Sequence, residues 1–316
     1  MNNFPTKETV LSAPQRIAAF IHRTPVLTSS SINQIVGCDL YFKCENFQKM
    51  GAYKMRGASH AVSCLSEEAK QKGVATHSSG NFAQALSLAA KAYGIKAYIV
   101  MPKNSPKVKR AAVLGYGAEV IMCESNLAAR EATLKQVVER TGATFVHPSN
   151  DMDVIVGNST CANELLQEVG DLDYIFAPIG GGGLIAGTAL AAHYLTDNQT
   201  KIMGGEPMMA DDAYQSLKAG RIIPVQNPQT IADGLRTSLG DQNFPIIHQL
   251  VQDIIRVEEA EIVATMRLVW ERMKIIVEPS SAVALAAVIK GQPQFEGKKI
   301  GVIFSGGNVD VENLPF

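Results

Sequence analysis

Lys54 lies in the stretch KCENFQKMGAYKMRGA (43–58), flanked by Tyr53 and Met55 and preceded by a Gly-Ala kink. A lysine in apolar company loses its proton more readily and becomes a nucleophile or a base. The plainer alternative is a solvated lysine beside Lys49 and Arg56. A second feature is the run Gly180-Gly181-Gly182-Gly183, between YIFAPI (174–179) and LIAGTALAAHYL (184–195). Glycines let a backbone come close to an anion, and a helix opening right after them offers free N–H groups and a positive dipole end. That pairing makes a phosphate cradle; a merely flexible turn is the alternative. No GxGxxG follows the first strand with an acidic residue ~20 positions on, and GxxxxGK[ST] is absent, which speaks against dinucleotide and P-loop sites. A third corner, His77-Ser78-Ser79-Gly80-Asn81-Phe82, offers amides and hydroxyls that can hold a carboxylate, unless they only cap a helix. A fourth, Ser305-Gly306-Gly307-Asn308, follows IGVIFS near the end of the chain.

The elements that must position these corners are strands and helices in alternation. Strand-like runs are DLYFKCE (39–45), GVATHS (73–78), KAYIVMP (96–102), AEVIMC (118–123), TFVHP (144–148), YIFAPI (174–179), KIMGGE (201–206) and KKIGVIFS (298–305). Several are almost continuously apolar, as strands covered on both faces are. Helical stretches lie between them at 82–94, 126–142, 184–195 and 258–273. The pattern predicts an α/β fold with parallel sheets, and ligands in such sheets sit beyond the carboxyl ends of strands. Residues 73–148 hold a strand–helix series of their own, ending at His147-Pro148-Ser149-Asn150, a plausible crossing point.

Composition narrows the classes further. With 316 residues, 46% hydrophobic and 19% charged, the chain has the mix of a folded protein of two domains or one large one. A net charge of −1 leaves no electrostatic footprint for nucleic acid or an acidic membrane. Five cysteines without a CxxC pair indicate neither a disulfide framework nor a zinc motif. The opening MNNFPTKETV does not read as a signal peptide and no apolar run reaches about 18 residues, so a cytoplasmic protein is expected.

Taken together and in order, these pieces resemble the pyridoxal-phosphate enzymes of fold type II, the tryptophan synthase β-like group. Within that group the chain is most similar to the serine racemase and serine/threonine dehydratase family. The carrying segments are RTPV (23–26), KCENFQKMGAYKMRGA, HSSGNFAQALSLAAKAYG (77–94), YIFAPIGGGGLIAG (174–187), GGEPMMADDAYQS (204–216), TIADGLRTSLG (230–240), RLVWERMKIIVEPSSAVALAAV (267–288) and GVIFSGGNVD (301–310). They span nearly the whole chain. The fold so implied has two open, twisted, mostly parallel sheets with flanking helices. A large cofactor-binding domain (1–72 and 149–316) and a small mobile domain (73–148) are expected.

The resemblance also implies roles. Lys54 is the lysine that takes pyridoxal phosphate covalently, and Tyr53 packs on the cofactor where relatives usually have Phe. Gly180, Gly181, Gly182 and Gly183, with the Leu184 amide, bind the phosphate. Asn81 meets the ring oxygen O3′, and Ser305 faces the pyridine nitrogen. A neutral hydroxyl there does not keep that nitrogen protonated, which suits elimination or a brief carbanion and disfavours transamination. Ser79 stands where threonine dehydratases commonly have alanine. It is the second base that racemisation requires, on the face opposite Lys54, and with Ser78 and Asn81 it also fits as a carboxylate contact. Arg130, Ser238 and Phe82 fall at substrate-facing positions. Glu206, Ala210 and Asp212 match a divalent-cation site for Mg²⁺, Mn²⁺ or Ca²⁺.

The activity implied is serine racemisation with β-elimination from small β-hydroxy amino acids. The alternative is a threonine or 3-hydroxyaspartate dehydratase with negligible racemase activity. The family is usually dimeric, and some members bind ATP between subunits, which these residues neither require nor exclude. The sequence departs from the family at Phe82, usually His, a change that counts against a second carboxylate on the substrate. Asn158 and Ser159 replace Gln and Gly, which would alter hydrogen bonding on the cofactor side, and PSSAVA (279–284) is more polar than its counterparts. The end at Phe316, soon after SGGNVD, implies no C-terminal regulatory domain.

Overall fold

A computed structural model describes residues 4–105 and 107–316, except for the side chain of residue 108. Its strands are β1 (Val26–Leu27), β2 (Asp39–Cys44), β3 (Val74–His77), β4 (Ala97–Pro102), β5 (Glu119–Cys123), β6 (Thr144–Phe145), β7 (Tyr174–Pro178), β8 (Lys201–Pro207), β9 (Val251–Val257) and β10 (Lys299–Phe304). They form a six-stranded sheet, β1-β2-β10-β7-β8-β9, and a four-stranded sheet, β5-β4-β3-β6. Every pairing is parallel except that of the short β1 with β2. This is the α/β architecture that the apolar runs predict.

Both faces of the large sheet are covered, so its strands spend apolar residues on both sides. Phe176, Val302 and Phe304 pack with the helices Glu259–Met273 and Pro279–Lys290. Their neighbours Ile175, Ala177 and Ile303 pack on the other side, with the helices Met152–Val169 and Gly183–Thr196. In the small sheet, Ile99 and Met101 share a core with Leu86 and Ala89, while Tyr98 and Val100 pack with Leu134 and Val137. β9 has no counterpart among the strand-like runs. As the sheet edge it buries only Val251, Ile254 and Val257, and the polar residues between them break the apolar pattern.

A buried cluster of charges ties three elements together. Arg56 is fully buried in the helix Lys54–Cys64. Its guanidinium donates to Glu45 at 2.7 and 2.8 Å, and to both oxygens of Glu164 at 2.8 Å. Lys43 Nζ donates to Glu164 at 2.7 Å and to the Thr24 carbonyl at 2.7 Å. Two cations and two carboxylates thereby neutralise one another out of water, the condition under which buried charge is tolerated.

Beside this cluster, helix backbones touch. A Cβ on Gly57 would lie 2.8 Å from the Val154 carbonyl oxygen, and one on Gly187 would lie 2.6 Å from that of Ile155. On Gly157 it would stand 2.6 Å from the Arg56 carbonyl oxygen and 2.6 Å from His60 Cβ. Only glycine fits such approaches. Gly157→Ala is therefore expected to cost about 1–3 kcal/mol of stability, read as a lower urea midpoint. An unchanged midpoint would mean that these helices separate without penalty.

Candidate active site

The corners at the carboxyl ends of β3, β7 and β10 open onto one cavity of about 1410 Å³. Lys54 is the first residue of its helix and half-buried in the cavity wall. The chain before it is pinned to the end of β10: Tyr53 N donates to the Ser305 carbonyl at 2.9 Å, and Ala52 pairs with Gly306. Lys54 Nζ donates to the Pro148 carbonyl at 2.8 Å and lies 4.9 Å from the centre of the Tyr53 ring. Desolvation lowers its pKa to about 8, against the opposing pull of Glu278. The positive end of its own helix acts in the same direction as burial.

The glycine run caps the 14-residue helix Gly183–Thr196, and all four glycines line the cavity. Gly182 has φ +80°, a left-handed conformation. A Cβ on Gly180 would lie 2.7 Å from Leu235 Cα, and one on Gly183 would lie 2.9 Å from Ser149 Cα. Asn243 Nδ2 fixes the run by donating to the carbonyls of Gly181 at 2.8 Å and Ser149 at 3.0 Å. Leu184, next in the chain, also lines the cavity. Side chains here would strike Leu235 and Ser149, so only glycine fits, and the amides at this helix start suit a phosphate.

Ser78, Ser79, Asn81 and Phe82 come from the small sheet and line the same cavity. Asn81 Nδ2 donates to Glu278 at 3.0 and 3.1 Å, and Asn81 Oδ1 accepts from Asn308 Nδ2 at 2.9 Å. Glu278 is buried, and desolvation, with Asp233 adding to it, pushes its pKa up to about 7. Ser305, also buried, completes the wall on the side of β10. Phe82 is 2% exposed; its ring belongs to the core of the small sheet and lies 5.8 Å from Lys54 Nζ.

Arg130 and Ser238 reach the cavity from the helix Leu127–Thr141 and from the loop after Leu235. Ser238 Oγ accepts from Val225 N at 2.8 Å. Arg130 Nε is buried without a hydrogen-bond partner. Asn158 and Ser159 do not line the cavity. They are buried inside the helix Met152–Val169, so their departure from the family changes helix packing rather than cofactor contacts.

Four further groups received no role from the sequence, although His77, His147 and Asn308 stand in corners that it marks. Glu278 and Asn308 orient Asn81 from 197 and 227 positions away. His147 Nδ1 accepts from Ser149 N at 3.2 Å and Asn150 N at 2.9 Å. Burial, with His77 and Lys54 nearby, pushes its pKa down to about 4 and keeps it neutral. Burial and Arg130 likewise lower the pKa of His77. The glutamate-proline step at a helix start was the one local signal for Glu278.

Glu206, Ala210 and Asp212 are brought together behind the glycine run. Glu206 is fully buried and accepts from Ala213 N and Tyr214 N, each at 2.8 Å. Asp212 Oδ2 accepts from Leu239 N at 3.1 Å, whereas its Oδ1 is buried without a partner. Two desolvated carboxylates, one with an orphaned oxygen, fit a hard cation with oxygen ligands.

The model of the family described as pyridoxal-phosphate dependent enzyme matches residues 17–306. The chain is 47% identical over 312 residues to the β-hydroxyaspartate dehydratase of Paracoccus denitrificans (strain Pd 1222), covering 99% of each chain. It is 48% identical over 313 residues to the serine racemase of Dictyostelium discoideum, covering 98% of this chain and 96% of that one. The crystal structure of that racemase superposes with a TM-score of 0.92, covering 97% of this chain and 99% of that one.

The environment of Lys54 has a direct readout. In cofactor-free protein, acylation of Lys54 by an amine-selective reagent, followed by peptide mapping, is expected to rise through pH about 8. A rise only near pH 10.5, the ordinary lysine value, would show that the cavity does not desolvate the amine.

Proposed function

This chain belongs to the family of pyridoxal-phosphate dependent enzymes, and from that premise we propose that it racemises serine and eliminates water from small β-hydroxy amino acids. One observation carries the reading. A lysine with a lowered pKa and a serine-rich corner, delivered by different sheets, share one cavity with a glycine cradle. Pyridoxal phosphate, when bound, supplies the electron sink that acidifies the substrate Cα–H.

The residues then divide the work. The amides of Gly180 to Leu184 hold the phosphate, Tyr53 packs against the ring, and Asn81 and Ser305 address its oxygen and nitrogen. Ser78, Ser79 and Asn81 hold the substrate carboxylate. Lys54, increasingly neutral above pH about 8, takes the proton from Cα. Ser79 is the second proton carrier, returning a proton from the other side. When the β-hydroxyl leaves instead, the product is a keto acid and ammonia.

The small unit, residues 73–148, closes over the cavity and excludes water. The ion pair of Lys109 with Asp233, at 2.6 Å, joins that unit to the loop on the other wall and supports this closure. A divalent cation, Mg²⁺, Mn²⁺ or Ca²⁺, sits on Glu206, Asp212 and the Ala210 carbonyl and stiffens the loop behind the phosphate. Leu239, whose amide is bound by Asp212, abuts Gly182 and provides the link. The family resemblance supports a homodimer, with ATP as a ligand between subunits in some members. Among the described residues no helix is long and apolar enough to cross a membrane.

A second reading is a 3-hydroxyaspartate dehydratase with little racemase activity. The unpartnered Arg130 Nε favours it, since a second substrate carboxylate would satisfy that donor. A relative named as a β-hydroxyaspartate dehydratase adds support.

The deciding assay supplies L-serine, L-threonine and L-threo-3-hydroxyaspartate separately to the protein with pyridoxal phosphate and Mg²⁺. Keto acid and D-enantiomer are both measured. D-serine is expected beside pyruvate, and Ser79→Ala is expected to abolish D-serine while sparing elimination from one enantiomer. Racemisation that survives Ser79→Ala sinks the role of Ser79; keto acid from hydroxyaspartate alone favours the second reading. For the cation, chelation is expected to lower the melting temperature by a few degrees and Mg²⁺ to restore it. Asp212→Asn should abolish that response, and a response that persists would place the ion elsewhere.

A further inference from the structure

Away from the cavity, three metal-binding side chains converge where two helices meet. His60 and Cys64 sit one turn apart on the helix Lys54–Cys64, and Asp153 is in the first turn of the helix Met152–Val169. One ligand atom from each lies within 4.8 Å of the others. From this geometry we propose a zinc site formed by His60 Nε2, Cys64 Sγ and an Asp153 carboxylate oxygen, with water as the fourth ligand. It is distinct from the oxygen-only site of Glu206 and Asp212, and it does not depend on the proposed activity.

Three observations support it. His60 is buried, and its Nδ1 lies 2.8 Å from the Asp153 backbone carbonyl. A carbonyl only accepts, so Nδ1 carries the hydrogen and the Nε2 lone pair is left free. Metal-ligating histidines are oriented by this kind of second hydrogen bond. Cys64 Sγ stands 3.9 Å from Nε2 and 3.7 Å from Nδ1. Zn–S near 2.3 Å and Zn–N near 2.0–2.1 Å in a tetrahedron place the thiolate and Nε2 about 3.5 Å apart, so the site closes when the Cys64 side chain turns from the middle of the ring edge toward Nε2. Cys64 and Asp153 are both exposed, which gives the ion a path in.

The ligand chemistry selects the metal. A thiolate and an imidazole suit zinc and disfavour Mg²⁺, Ca²⁺ and Mn²⁺. Thiolate and carboxylate together balance a divalent charge; Arg16, from the helix Lys7–Ile17, adds one positive charge nearby. Occupancy would fasten the Lys54 helix to the start of the helix that follows Pro148, whose carbonyl accepts from Lys54.

The test uses chelator-stripped holoenzyme titrated with zinc in competition with a chromophoric chelator. Wild type is expected to bind one more equivalent than Cys64→Ser, or the same equivalent at least ~10-fold more tightly. Asp153→Asn should weaken that same equivalent, and both substitutions are at exposed side chains. Cobalt should give wild type a thiolate charge-transfer band in the near ultraviolet that Cys64→Ser lacks. Equal zinc binding by wild type and Cys64→Ser, or no such band in wild type, overturns the proposal. Zinc-free Cys64→Ser should keep wild-type activity, so failure here is distinguishable from failure of the catalytic reading.

Discussion

The burial of Arg56 constrains everything around it. A guanidinium cannot lose its charge in a protein, so an interior that contains one must supply carboxylates in fixed places. Glu45 and Glu164 do so from the segment after β2 and from the long helix Met152–Val169. Glu164 then needs a second cation, and Lys43 on β2 provides it. Replacing such a cluster with apolar side chains need not weaken a fold, but removing one member strands a buried charge. Its value here is positional. Arg56 is two residues from Lys54, so the clamp sets where the Lys54 side chain starts and which way its helix runs.

From that anchor the electrostatics of the cavity follow. The pinning of Ala52 and Tyr53 to the end of β10 leaves Lys54 at the positive end of a helix, away from bulk water. Both conditions disfavour its charged form. Glu278 opposes them and is itself driven toward neutrality by burial. Burial thus pushes the Lys54 amine down to about 8 and the Glu278 carboxyl up to about 7, weakening the charge on both. Asn81 donates to Glu278, so the residue expected to meet the ring oxygen is oriented by the glutamate that shares the field of Lys54.

What the sequence made legible were features with a local physical cause. Continuously apolar runs mark strands covered on both faces, and the glycines at 180–183 mark a backbone that nothing else can occupy. β9 escaped because an edge strand carries polar residues on its open side. Glu278 escaped because its role exists only once residues 81 and 308 are folded onto it. Asn158 misled for a related reason: a polar residue reads as a site residue, yet it lies inside a helix bundle with both side-chain polar atoms unpartnered. The glycines at 57, 157 and 187 say little singly, because their meaning lies in helix backbones that approach from distant parts of the chain.

The helix that carries Lys54 is shared between two cores, and this bears on the proposed closure of the cavity. Arg56 and Gly57 face the long helix Met152–Val169 and are locked there by charge and by backbone contact. Met55, Ala58, Ala61 and Val62 belong instead to the core of the small sheet, with Val74, Phe82 and Ile99. One face is held by directional bonds and the other by non-directional packing. A small unit moving against the large one would therefore slide along the second face, where contact can be exchanged without breaking a hydrogen bond. In the proposed closure Lys54 would stay fixed to the clamp, while travel of Asn81 with the small unit would exchange its hydrogen bonds to Glu278 and Asn308. The proposed pairing of Lys54 as a stationary base with Ser79 as one that arrives on closure would be served by this division of a single helix.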